Sequence, residues 1–203
     1  MKKLLFVLFF FPLVIFGQNE STVNKNFIYG LEFAKINDFE KAIFYFSKAI
    51  KLYPNDYRAY FERGNSKRSL DNYSDAILDY TKAIKLNSNN ITIYYSRGVL
   101  KYITEDYSGA ISDLSYVIDN NTSSSAGAYY FRGMSRIYSK LYFPATLDLD
   151  KAIELNPDFA LAYRERGVLS SGFGDLNNAC KDWKKAASLG DKDSEKLVAE
   201  KCN

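Results

Sequence analysis

Apolar and small residues recur along this chain in paired bursts at helical spacing. Between residues 57 and 90 the first burst is Tyr60, Gly64 and Leu70. The second is Tyr73, Ala76, Ile77, Tyr80, Ala83, Ile84 and Leu86. Steps of three and four place each burst on one face of a helix. The pattern then repeats. Gly30, Gly64, Gly98, Gly133 and Gly167 are separated by 34, 34, 35 and 34 residues. Ala42, Ala76, Ala110, Ala145 and Ala179 keep the same steps, each twelve residues after its glycine. Two registers locked over five copies define a stacked array of one supersecondary unit. The copies run 23–56, 57–90, 91–125, 126–159 and 160–193. The reading is an all-α chain in which each copy is a pair of antiparallel helices joined by a tight turn.

The polar positions mark where the helices begin. Asp38, Asn72, Asp106 and Asp175 occupy the start of the second helix in four copies, where a side chain can accept from a free backbone N–H of the first turn. The fourth copy has Leu141 there and Pro144 soon after, a position where proline costs no intrahelical donor. The glycine and the first alanine are where paired helices must come close. Phe46, Tyr80, Leu114, Leu149 and Trp183 are the large residue of the second helix and are expected to fill the space between neighbouring units. Arginine recurs at Arg63, Arg97, Arg132 and Arg166, and aspartate at Asp79, Asp113, Asp148 and Asp182. The first copy has Tyr29 and Tyr45 instead. This joint presence and absence predicts an Arg–Asp bridge within each copy; independent surface charges are the alternative.

A 34-residue unit with glycine at position 8, alanine at 20, an aromatic at 24, alanine at 27 and proline at 32 resembles the tetratricopeptide repeat. The stretches AYFERGNSKRSLDNYSDAILDYTKAIKLN (59–87) and AYRERGVLSSGFGDLNNACKDWKKAASLG (162–190) carry the resemblance, which covers about residues 23–190. It implies a right-handed α-solenoid that binds proteins or peptides on the concave surface of its first helices. The groove positions of such a repeat are here Arg58, Phe61, Asn65 and Arg68, then Tyr95, Val99 and Tyr102, then Tyr130, Met134 and Tyr138, then Arg164. The expected groove is thus aromatic and aliphatic at its centre, with arginines beside it. The lysine–asparagine pair of repeats that clamp a C-terminal carboxylate is absent.

The ends break the register. Residues 18–22 read as a linker, with the whole stretch from Asn19 to Asn26 of linker-like composition. Residues 191–203, with Leu197 and Val198 among charges, read as a capping helix that shields the last interface. Lys2 and Lys3 precede an apolar run from Leu4 to Phe16, and Gly17 is small. This is the layout of a signal peptide over residues 1–17, cut near Gly17/Gln18. The chain is therefore expected to be exported, periplasmic or secreted, with no membrane span after cleavage; an uncleaved N-terminal anchor is the alternative. Export and an even cysteine count predict a Cys180–Cys202 disulfide, with two free thiols as the alternative.

Charge and chemistry narrow the function. Without Lys2 and Lys3 the formal charge falls from +3 to +1, which gives no electrostatic case for nucleic acid. There is no histidine, so the usual neutral-pH base and commonest metal ligand are missing. Two cysteines alone cannot build a structural zinc site. No metal, cofactor or catalytic set is expected. The reading is a non-enzymatic scaffold for a protein or peptide partner, with assembly among envelope proteins as one setting. A self-assembling structural component is the alternative, and an exported enzyme working through carboxylates is the least favoured.

Overall fold

The computed structural model describes residues 19–120 and 125–202, with side chains from residue 25. The expected signal segment lies outside them. Among the described residues there are eleven α-helices and no strand. They are α1 (Asn19–Lys35), α2 (Phe39–Leu52), α3 (Tyr57–Ser69), α4 (Tyr73–Leu86), α5 (Ile91–Ile103), α6 (Tyr107–Asn120), α7 (Ala126–Tyr138), α8 (Tyr142–Leu155), α9 (Ala160–Gly172), α10 (Leu176–Ser188) and α11 (Lys192–Lys201). The first ten pack as consecutive pairs, each pair stacks on the next, and α11 covers α10.

One expectation is corrected at the start. Asn19–Asn26, read as a linker, is the opening of α1. Asn19, Ser21, Thr22, Asn24 and Asn26 are weak helix formers, but Glu20 and Lys25 are good ones and no Pro or Gly interrupts the stretch before Gly30. Extending a helix already nucleated by packing downstream costs far less than starting one.

Three residues separate the helices of each pair. The middle one is in the left-handed region: Asn37 (φ 61°), Asp71 (57°), Glu105 (65°), Lys140 (61°) and Gly174 (84°). The third stands at the N-cap of the next helix. In the first pair Asp38 N–H reaches Phe33 C=O and Asn37 N–H reaches Ala34 C=O, closing a Schellman motif. Asp38, Asp106 and Asp175 then accept from the backbone N–H of Lys41, Gly109 and Asn178. Asn72 does not cap its helix. Its amide Nδ2 instead donates to Asp75.

Burial follows the repeat. Ala42, Ala76, Ala110, Ala145 and Ala179 are fully buried, as are Phe46, Tyr80, Leu114, Leu149 and Trp183 four residues later. A Cβ added at Gly98 would lie 2.9 Å from Leu114 Cγ, and one at Gly167 2.6 Å from Trp183 Nε1. These glycines therefore set the closeness of the paired helices. Each core cluster straddles a junction, as Tyr80, Ile84, Ile93 and Leu100 do between the second and third pairs.

An ionic pin also crosses each junction. Arg97 forks onto Asp113, with Nε 2.8 Å from Oδ2 and Nη2 2.7 Å from Oδ1. Its Nη1 reaches back to the Thr81 hydroxyl of the preceding pair at 3.0 Å. Arg63 and Arg132 repeat this, forking onto Asp79 and Asp148 and reaching Ser47 and Ser115. Such a buried pair fixes geometry more surely than it adds net stability. In the first pair Tyr29, Phe33 and Tyr45 occupy the places of the ionic residues. Their rings pack together, Phe33 stacking on Tyr45 at 5.3 Å and Lys41 lying over Phe33.

Candidate functional site

The first helices place the expected groove residues unequally. Tyr130 and Met134 are corrected from surface to core: they are 8% and 6% exposed. They pack with Leu149, Ala162 and Leu169, and the Phe159 ring lies 4.9 Å from that of Tyr130. The following pair covers both side chains. Burial raises the Tyr130 phenol above its ordinary pKa. Arg164 is also not a free groove cation. It pairs with Glu165 and with Asp191, the residue that caps α11, and so ties the last pair to the C-terminal cap.

Three further positions are committed elsewhere. Asn65 accepts from the Tyr80 hydroxyl at 2.8 Å and donates to Glu62. Arg58 forks onto Asp56, which is the cap of its own helix. Phe61 is half-buried against Tyr80. Arg68 is exposed and Val99 half-buried. Tyr95 lies over the fourth pair, its hydroxyl close to Gly127, and lines a hollow of about 180 Å³ with Thr92 and Val117.

The remaining aromatics gather where the first helices meet the turns. Tyr102 packs against Phe131 and Tyr138. Tyr107, at the start of α6, stacks on Tyr138 at 4.9 Å with 8° between the planes. Tyr138 is 54% exposed. Burial, and then the neighbouring Tyr138, push the Tyr102 phenol up to about 12. One pair further on, Tyr142 occupies the place of Tyr107, and Gly172 the place of Tyr138. No ring fills that position. Phe173, next along, meets Tyr142 edge-on at 5.9 Å. What opens is a mainly apolar cleft of about 340 Å³ lined by Ile137, Tyr142, Val168, Leu169, Gly172 and Phe173. Phe173 is 68% exposed at its rim. Tyr107, Tyr142 and Phe173 escape a reading confined to first-helix positions; the exposed aromatic at each turn was the available signal.

At the far end, the Cys180 and Cys202 sulfurs are bonded, joining α10 to the end of α11. Among the described residues no group of His, Cys, Asp and Glu could hold a metal ion. Nor is any described helix long and apolar enough to cross a membrane.

The comparisons with known proteins agree with this architecture. Family models match over residues 64–104, described as TPR repeat, and over residues 26–56, described as tetratricopeptide repeat. The chain contains tetratricopeptide repeats. It is similar to the crystal structure of MamA, at 27% identity and a TM-score of 0.76, over 82% of this chain and 96% of that one. It also shares its fold with YrrB, described as a TPR protein with an unusual peptide-binding site, at 20% identity and a TM-score of 0.80, over 90% and 94% of the two chains. PilF of Pseudomonas aeruginosa matches at 18% identity and a TM-score of 0.73, over 89% and 82%. A comparison with curated protein sequences returns no match. The tetratricopeptide repeat fold is that of a protein–protein interaction scaffold, and such repeats are typically non-enzymatic.

Proposed function

We propose that this chain is an exported, non-enzymatic scaffold that seats an apolar or aromatic segment of a partner polypeptide in the cleft between Tyr142 and Phe173. One observation carries this reading: Gly172 stands where the preceding pair has Tyr138, and leaves a ring-sized apolar opening beside an exposed aromatic face. Aromatic anchors entering such clefts supply much of the energy of protein interfaces. The Tyr102–Tyr107–Tyr138 group continues the surface toward the third pair. Export rests on Lys2, Lys3 and the apolar run to Phe16, with cleavage near Gly17/Gln18. The Cys180–Cys202 bond suits an oxidising compartment.

Selection of displayed peptides on the purified chain tests the cleft, with Gly172→Tyr as the counter-target. Nothing lies within 4 Å of a Cβ added at Gly172, so the variant folds while its ring fills the opening. Selected peptides should share an aromatic or large aliphatic residue and lose at least tenfold in affinity for Gly172→Tyr. Equal binding to both proteins would place recognition elsewhere.

A further inference from the structure

The junction between the fourth and fifth pairs departs from the other three in its charges. In the second, third and fourth pairs, the aspartate held by the arginine fork has a second cation on its Oδ2 atom. Lys67 Nζ lies 2.9 Å from Asp79, Lys101 Nζ 3.0 Å from Asp113, and Arg136 Nη1 2.7 Å from Asp148. These cations come from one repeat position, four residues after the forking arginine. In the fifth pair that position is Ser170.

The acceptor across the junction changes as well. Where Arg63, Arg97 and Arg132 reach a hydroxyl, Arg166 Nη1 reaches the Asp150 carboxylate at 2.7 Å. Its fork onto Asp182 is unchanged. The other junctions gather two cations around one carboxylate; this one gathers one cation between two. The space a long cationic side chain fills elsewhere is here a cleft of about 340 Å³, lined by Thr146, Asp150, Arg166, Ser170, Asn178, Lys181 and Asp182. The Asp182 side chain is 10% exposed, against 3–6% for its three counterparts, and that of Asp150 is 49% exposed. Lys181 stands at the rim with Nζ 3.4 Å from Asn178 Oδ1.

We infer that this cleft binds the ammonium or guanidinium head of a lysine or arginine side chain from a partner polypeptide, in the place that Lys67, Lys101 and Arg136 hold within the chain itself. The three internal copies supply the template. A carboxylate has about four lone-pair sites, and Arg166 leaves part of that capacity on Asp150 and Asp182. Lys181 at the rim bonds Asn178 and makes no ion pair with either aspartate, so an entering cation pairs with the carboxylate that Arg166 alone leaves in excess inside the cleft. The cleft walls of Thr146, Ser170 and Asn178 carry hydroxyl and amide groups that can complete its hydrogen bonds. This site is separate from the apolar cleft and does not depend on it.

Titration of the intact, oxidised, isotope-labelled chain with Nα-acetyl-lysine N-methylamide, followed by amide NMR shifts, tests the inference. Saturable shifts are expected at Ser170, Asn178 and Asp182. The Nε-acetylated probe, which has no charge, should give none. Ser170→Lys tethers an ammonium in the cleft, and should both abolish the shifts and raise the melting temperature. Ser170→Ala removes one wall hydroxyl and adds no charge, so its shifts should stay saturable at an affinity a fewfold weaker than the wild type. Absence of saturable shifts in the wild type, equal shifts with the neutral probe, or full binding by Ser170→Lys would each overturn it. Binding that appears only in Lys181→Ala would also overturn it, because the chain's own lysine would then occupy the cleft.

Discussion

The rings of Tyr107 and Tyr138 lie face to face across the junction of the third and fourth pairs, 4.9 Å apart and within 8° of parallel. One belongs to a second helix and the other to the first helix of the next pair, so the stack holds two units in register. Offset aromatic pairs contribute about 0.5–1.5 kcal/mol beyond the area they bury. Tyr138 is half exposed, which favours the lower end. A double-mutant cycle with Tyr107→Leu and Tyr138→Leu, read by urea denaturation, should give a coupling of about 0.5 kcal/mol. Strict additivity would mean that the rings touch without holding the junction.

The turns inside the pairs carry avoidable strain. Glu105 and Lys140 sit at φ 65° and 61°, where a Cβ crowds the backbone, while the fifth pair uses Gly174 at the same place. The left-handed conformation costs roughly 1–2 kcal/mol for an ordinary residue. Glycine removes that cost but adds about 0.5–1 kcal/mol of chain entropy in the unfolded state. Glu105→Gly and Lys140→Gly should therefore each stabilise by about 0.5–1 kcal/mol. Gly174→Ala should destabilise by about 1 kcal/mol. Chemical denaturation of the three variants measures both signs.

The repeat period, the two-helix unit and the buried alanine ladder were legible because they recur, and recurrence separates a packing rule from chance. Arg97 and Asp113 are visible in the same way. The third N–H of Arg97 on Thr81 was not, since it joins different positions of different copies. The groove was misjudged for a related reason. Position within a repeat tells which face a side chain leaves from, but not whether the next unit covers it, as Phe159 covers Tyr130. The aromatic surface was found at the turns, where Tyr107 and Tyr142 open second helices. In the first pair, the loss of Arg and Asp was readable. Their replacement by a packed trio of Tyr29, Phe33 and Tyr45 needed the fold.

Burial holds Tyr80, Tyr102 and Tyr130 neutral well into alkaline solution. The Tyr80 phenol is pushed up to about 12 by burial, and Tyr102 to about 12 by burial and its neighbour Tyr138. Unfolded tyrosine ionises near pH 10. The folded pKa is the higher one, so the stabilising contribution is complete below about pH 10 and is lost as pH rises through about 12. Stability should fall across that window, with a late class of phenols in an ultraviolet titration. Tyr80→Phe removes the hydroxyl that donates to Asn65, which should cost about 1 kcal/mol at neutral pH. The same variant should flatten the alkaline decline. An unchanged decline in Tyr80→Phe would show that other groups set the alkaline limit.

The C-terminal cap is held by two ties of different kinds. Cys180 and Cys202 close a loop with a sequence separation of 22. Closing a loop of that size removes about 3 kcal/mol of unfolded-state freedom in the chain-entropy model. Arg164 pairs with Asp191 at the start of the same helix. In a stacked array each unit contacts its neighbours alone, so loss of one tie acts locally. Cys202→Ser should lower stability by about 2–3 kcal/mol for the α10–α11 region. Hydrogen exchange should accelerate across α11 and the end of α10, while α3–α6 keep wild-type protection. Adding Asp191→Asn should release α11 further, because the Arg164 pair then fails as well. Uniform acceleration along the chain would instead show that the cap sets the stability of the whole array.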